Sequence, residues 1–326
     1  MKVRNQKNVG WCYANAAADL MGVAVKEDVS ANHVAMNYIV GSLKDDPTCF
    51  TSLSDDASTA EGRDILEGGG FSEAIKYSSG RPLISEDDLP YAPKEEPLLP
   101  ALKKLAQKVK VIKCDGKTER NFNDACDLLA PFFPLANRAN IENIMDVLSK
   151  TPDNSWFSTL LAEYEKVFPD KKKAICANLS LQGEFIFVPR EDDPLGGLPC
   201  YFYKEKDRRT CASQSMDTMN QQLDASNIVG ISYLFSFMKN SYDYNFSSRH
   251  ASTVVGRNYN EKTGDCEYLV RNSWGSSCDS YDSKFVCHDG HVLVPEYALQ
   301  RALGGVGYMK LPEKVNSEKK SSTTAQ

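Results

Sequence analysis

The sequence contains no apolar run of membrane-spanning length, so no transmembrane helix is expected. It lacks a basic excess. Its 38 Lys and Arg stand against 44 Asp and Glu, a formal charge of −6, and nucleic acid is excluded as an expected partner. None of the ten cysteines forms a C-x-x-C pair, which removes the zinc-ribbon and thioredoxin readings. The opening Met1-Lys2-Val3-Arg4-Asn5-Gln6 has no apolar core of a signal peptide. Histidine is scarce, with four in 326 residues, so any chemistry that needs an imidazole has few candidates. What is present is ordinary for a globular protein, with 41% hydrophobic and 25% charged residues. No cofactor is expected, and a monomer is.

Read in order, the chain divides by element type. An alanine-rich helix follows Cys12, and Ser30 caps a second helix through Ala31 to Val40. A polar loop runs from Lys44 to Asp56, and Gly68-Gly69-Gly70-Phe71 leads into a short helix through Ser72 to Tyr77. Residues 96–200 read as a helical insertion punctuated by prolines, with strand character near Phe185 to Val188. Strands then dominate: Ile228 to Leu234, Ala251 to Gly256 and Glu267 to Asn272, the last two joined by a turn at Asn260 to Gly264. Val292 to Val294 and Val306 to Met309 close the sheet. The expected organisation is α+β, with a helical lobe over 1–95, the insertion over 96–200, a β lobe over 201–311 and a disordered tail over 312–326.

Cys12 is the chemically pointed residue. It opens a predicted helix, where the macrodipole and unpartnered backbone N–H groups favour thiolate over thiol. The same N–H groups can receive an oxyanion, and Gln6 offers a side-chain donor on the approach loop. A buried, inert cysteine is the competing reading, and a base elsewhere in the chain decides between them.

Among the histidines, His33 sits on the second helix as a surface or packing residue. His288 and His291 flank Asp289-Gly290 in a turn, and their H-x-x-H spacing without a further placed ligand does not make a metal site. His250 opens the strand Ala251 to Val255, and Asn272 ends the next strand. Antiparallel pairing across the hairpin brings the two side by side. An asparagine oxygen accepting from a ring N–H fixes the imidazole's tautomer and orientation. Trp274 is placed to shield that hydrogen bond.

Gln6, Gly10-Trp11-Cys12-Tyr13-Ala14, Gly69-Gly70, His250-Ala251 and Asn272-Ser273-Trp274-Gly275, in that order, resemble the papain-like cysteine peptidases, the C1 family. The resemblance covers residues 1–95 and about 210–310 and leaves the insertion unexplained. It implies a papain-like two-lobed fold and hydrolysis of peptide bonds in a peptide or protein substrate. By that resemblance Cys12 is the nucleophile, His250 the base and later acid, and Asn272 the orienter. Gln6 and the Cys12 N–H then form the oxyanion hole. Gly69 and Gly70 line the cleft, while Phe71, Val229 and Ala251 shape the pocket for the residue two before the scissile bond. Trp11 beside the nucleophile resembles bacterial members that read Gly-Trp-Cys-Tyr. Val9 stands where the family carries a disulfide cysteine, so that bridge is absent. Arg249 precedes the base where papain has an aspartate, and a cation there disfavours the imidazolium and, through that loss, raises the thiol pKa. Two alternatives use the same residues: a papain-like binding or scaffold protein of weak turnover, and acyl transfer to an amine. Upstream sequence is expected before Met1, since the nucleophile comes so early. Disulfides among the other cysteines, and hence an exported protein, are expected as well.

Overall fold

The computed structural model describes residues 3–7, 9–45, 68–91, 98–115, 119–132, 137–152, 155–167, 184–188, 205–238 and 249–310. The expected loop beyond Asp45, the tail from 312, and Cys49, Cys176 and Cys200 lie outside them. The architecture is α+β, as the sequence expects.

Seven helices come first: α1 Cys12–Val25, α2 Ala31–Asp45, α3 Phe71–Ser78, α4 Leu98–Asp115, α5 Glu119–Leu129, α6 Arg138–Lys150 and α7 Trp156–Val167. After them come β1 Glu184–Val188, α8 Glu205–Asp224, β2 Val229–Leu234, β3 Arg249–Asn260, β4 Asp265–Arg271, β5 Val286–His288, β6 His291–Pro295, α9 Glu296–Ala302 and β7 Leu303–Lys310. The strands form one antiparallel sheet in the order β1-β7-β2-β3-β4-β6-β5. Among the described residues, no helix is long and apolar enough to cross a membrane.

Helix α1 is buried nearly all round, from Tyr13 to Gly22. Its alanines at 14 and 16–18 leave room for neighbours on every side, which is how a helix becomes central. It ends at Lys26, which adopts the left-handed conformation (φ 60°) and closes the last turn with an N–H bond to Gly22 O. Helix α2 is capped as expected: Ser30 Oγ accepts the His33 N–H at 3.2 Å and donates to Leu89 O at 2.7 Å.

Two apolar cores flank the sheet. The first gathers α1–α3 residues such as Trp11, Leu20 and Ile39, and it continues without a break into Leu105, Met145 and Leu160 of α4, α6 and α7. The helices read as an insertion therefore share one core with the helix that carries Cys12. A helical pattern punctuated by prolines does not say which partner will cover each helix. The second core lies behind the sheet, where Ile231, Tyr233, Tyr268 and Val292 meet Met216 and Met219 of α8 and Leu299 of α9.

The two halves are joined by a buried ion cluster and by the segment around Arg4 to Gln6. Asp19 of α1 meets Arg4 Nε at 2.9 Å and Arg271 Nε of β4 at 3.0 Å, while Thr253 of β3 donates to it at 3.3 Å. Arg4 also pairs with Glu86 and donates to Val29 O. Asn5 bridges Trp274, with Gln6 N–H donating to Ser273 O at 2.7 Å and Gly275 N–H to Arg4 O at 2.9 Å. The approach loop is thereby fixed to the sheet side, 267 residues away in sequence.

Candidate active site

Cys12 lies at the start of α1, half-buried and packed against the first core. Its thiol faces three backbone N–H groups, those of Ala251, Tyr13 and Cys12 itself. The Ala251 contact matters most for geometry, because Ala251 is the neighbour of His250 on β3. The sequence expects the helix start to favour thiolate. Burial opposes this and pushes the Cys12 thiol up, outweighing the three N–H groups that pull it down. The helix start was legible in the sequence; the desolvation was not.

His250 is buried. Register Tyr233↔His250 places it on β3 facing the second core, and its Nε2 stands 2.6 Å from Asn272 Oδ1. Thr253 pairs with Arg271, so one step further along each strand sets Ser252 level with Asn272. The expected adjacency of His250 and Asn272 is therefore present as a hydrogen bond. Trp274 tilts over the imidazole at 5.1 Å between ring centroids, and Phe235 meets both rings edge-on at 5.9 and 5.7 Å. Tyr281 stacks on Trp274 at 5.2 Å. This aromatic wall covers the His250–Asn272 bond, where lower local polarity strengthens it.

Gln6 is buried beside this group. Its Oε1 accepts from Ser273 Oγ, and its Nε2 donates one hydrogen to Val9 O at 2.9 Å. Tyr91 holds the loop by donating to Gln6 O at 3.1 Å. The Gln6 amide thus has its orientation fixed from the oxygen side.

The expected pocket residues divide. Gly69 and Gly70 lie at the start of α3 at or near the surface, and a Cβ at Gly69 would meet the Tyr38 ring at 2.7 Å. Phe71 and Ala251 are buried in the first core. Val229 is not brought to them. It belongs to the second core, on the opposite face of β2. Gly230 occupies the facing position instead, where a Cβ would stand 2.8 Å from both Leu20 Cδ1 and Phe71 Cε2. Trp11, beside Cys12, is fully buried and meets Tyr91 edge-on at 6.3 Å, so its bulk fills the helical core. Arg249 is exposed at the start of β3.

His33 is a packing residue, fully buried near Asn37. His288 and His291 pair across the β5–β6 turn, with His291 Nδ1 against Asp289 O at 3.2 Å. Cys278 and Cys287 form a disulfide.

Several residues near the site escaped the sequence reading. Ser252 shares the strand face of His250, two residues on, and a polar residue at that spacing was a usable signal. Asp19 was another, since a carboxylate on an otherwise apolar helix must find partners.

No family model matches the chain, and no curated protein does. Among solved structures, the chain is similar to PepW from Lactobacillus rhamnosis HN001 (DR20), at TM-score 0.42 and 13% identity over 94% of this chain and 79% of that one. It is also similar to the bromelain protease from Ananas comosus in complex with the E64 inhibitor, at TM-score 0.39 and 12% identity over 96% and 94%. Both likenesses are distant, and the chemistry of the site rests on the chain's own geometry.

Proposed function

We propose that this protein is a papain-like cysteine peptidase, with Cys12, His250 and Asn272 as its triad. One observation carries the reading: the Cys12 thiol lies against the N–H of Ala251, next in chain to His250, whose ring is held 2.6 Å from Asn272. With Nε2 committed to Asn272, Nδ1 is the ring nitrogen that takes the thiol proton. The thiolate adds to a peptide carbonyl, and the oxyanion is received by the Cys12 N–H and the second N–H of Gln6 Nε2. Collapse expels the amine, which takes the proton from His250. Water, deprotonated by His250, then cleaves the thioester and restores the thiol.

Gly69, Gly70, Phe71 and Ala251 form the substrate side of the cleft in this reading, with Gly230 replacing Val229 beneath Phe71. The Cys278–Cys287 disulfide favours an oxidising compartment, hence export. A weakly active binding protein is the second reading, and the observation on its side is the desolvation that pushes the Cys12 thiol up.

Treatment with iodoacetamide or an E-64-type epoxide, followed by mass spectrometry, separates the two. An adduct on Cys12 at neutral pH, together with peptide cleavage that Cys12→Ala abolishes, is the expected result. No adduct, or cleavage surviving in Cys12→Ala, overturns the peptidase reading.

A further inference from the structure

Asn272 holds more donors on one oxygen than orienting an imidazole requires. Its Oδ1 receives His250 Nε2 at 2.6 Å, the Ser273 backbone N–H at 2.7 Å and Ser252 Oγ at 3.1 Å. Ser252 in turn meets the Tyr233 hydroxyl at 2.9 Å. Ser252 has one hydroxyl proton, and it points at Asn272, so Tyr233 is the donor in that second contact. Both side chains are buried, at 2% and 0% exposure, which leaves no solvent to substitute for either bond. The result is a directed chain from Tyr233 through Ser252 to the Asn272 oxygen, which the imidazole approaches from the other side.

Strand geometry makes this chain possible. His250 and Ser252 are two residues apart on β3 and share a face, and β2 presents Tyr233 opposite His250. Burial holds the Tyr233 phenol well above its ordinary pKa, so it remains a donor throughout the working pH range.

We propose that Ser252, backed by Tyr233, is a positioning residue that locks the Asn272 amide with its oxygen toward His250. A flipped amide would set NH2 hydrogens against the Ser252, Ser273 and His250 donors together, and each buried clash forfeits a hydrogen bond. With the flip closed, Nε2 always meets an acceptor and keeps its proton. Its effect on rate rests on the peptidase reading; its effect on the ring does not.

The test uses the full chain with Ser252→Ala, Ser252→Thr and Tyr233→Phe. On a peptide substrate, Ser252→Ala is expected to lower kcat about fivefold, the rate equivalent of one ordinary hydrogen bond, with KM unchanged. It also moves the alkaline limb of the pH–rate profile to lower pH, because a less firmly held Asn272 supports the imidazolium less well. Ser252→Thr restores both. Imidazole ¹⁵N NMR supplies the readout that needs no turnover. The His250 Nε2–H resonance, downfield in the native protein, broadens or moves upfield in Ser252→Ala and returns in Ser252→Thr. Tyr233→Phe, which removes only a hydroxyl, reads the same resonance should Ser252→Ala fail to fold, and a native-like signal there overturns the chain. Native kcat, pH profile and resonance in Ser252→Ala overturn the proposal. A native protein that cleaves no peptide, but whose His250 resonance still depends on Ser252, overturns the peptidase reading and leaves the positioning role standing.

Discussion

Gln6 and Ser273 are bonded twice: the Gln6 backbone N–H donates to Ser273 O at 2.7 Å, and the Ser273 hydroxyl donates to Gln6 Oε1. The proposed oxyanion donor is therefore aligned by the residue next in chain to the proposed orienter. Gln6→Ala is expected to lower kcat by about 10²-fold with little change in KM, the usual loss for one oxyanion-hole donor. Ser273→Ala keeps the Gln6 amide but frees its orientation, so a smaller loss in kcat is expected. Steady-state kinetics on both variants checks the order. A Ser273→Ala loss as large as that of Gln6→Ala would sink it.

Asp19 stands between Arg4 and Arg271, all three buried. Replacing it by Ala removes the buried carboxylate that both guanidinium groups share, although Arg4 keeps Glu86, and a loss of about 3–5 kcal/mol in unfolding free energy is expected. Arg257–Asp224 supplies the contrast, because its carboxylate side is 64% exposed. Asp224→Asn should cost under about 1 kcal/mol. Urea denaturation of the two variants measures the gap. Equal midpoints would show that the Asp19 cluster adds nothing to the joining of the halves.

The Cys12 thiol is pushed up by burial, and removing His250 removes the cation proposed to oppose that push. In His250→Ala, alkylation of Cys12 is expected to require a higher pH than in the native protein. A folded pKa above the unfolded value contributes stability that is present below the unfolded thiol pKa and lost as pH rises through the folded one. His250→Ala should therefore lose stability in the alkaline range relative to the Cys12→Ala, His250→Ala double variant. Rates of iodoacetamide labelling and pH-resolved thermal melts test the two statements. Labelling of His250→Ala at the same pH as the native chain contradicts the first.

Gly230 sits where a Cβ would press on Leu20 and Phe71 at 2.8 Å. Gly230→Ala is expected to cost about 1–3 kcal/mol through overpacking. Displacement of Phe71 should raise KM more than it lowers kcat. Differential scanning calorimetry and peptide kinetics check both, and an unchanged KM removes Phe71 from the substrate side.

Where local chemistry decides, the sequence was sufficient. Ser30 capped α2, and the Asn260–Gly264 turn delivered His250 and Asn272 to one another, since a hairpin register is short-range information. Val229 marks where this fails. In β2 the bulky Val229, Ile231 and Tyr233 alternate with Gly230 and Ser232, and alternation alone does not say which of the two faces meets Phe71; only the packing of the sheet assigns Gly230 to it. The pairing of β1 with β7 is likewise non-local, joining residues 184 and 310. The short β5 and α9 carry too few residues for a period to show.

The disulfide between Cys278 and Cys287 has a consequence for how the protein is handled. Tyr281 lies inside the loop it closes, and Tyr281 stacks on the Trp274 that roofs His250. As the proposed nucleophile, Cys12 must stay reduced, while the loop beneath the roof is closed by an oxidised pair. Oxidants convert the first to sulfenic acid, and strong thiol reductants open the second. On the peptidase reading, activity therefore belongs to a window of redox poise bounded on both sides, and excess reductant, the usual means of waking a thiol enzyme, should eventually silence it.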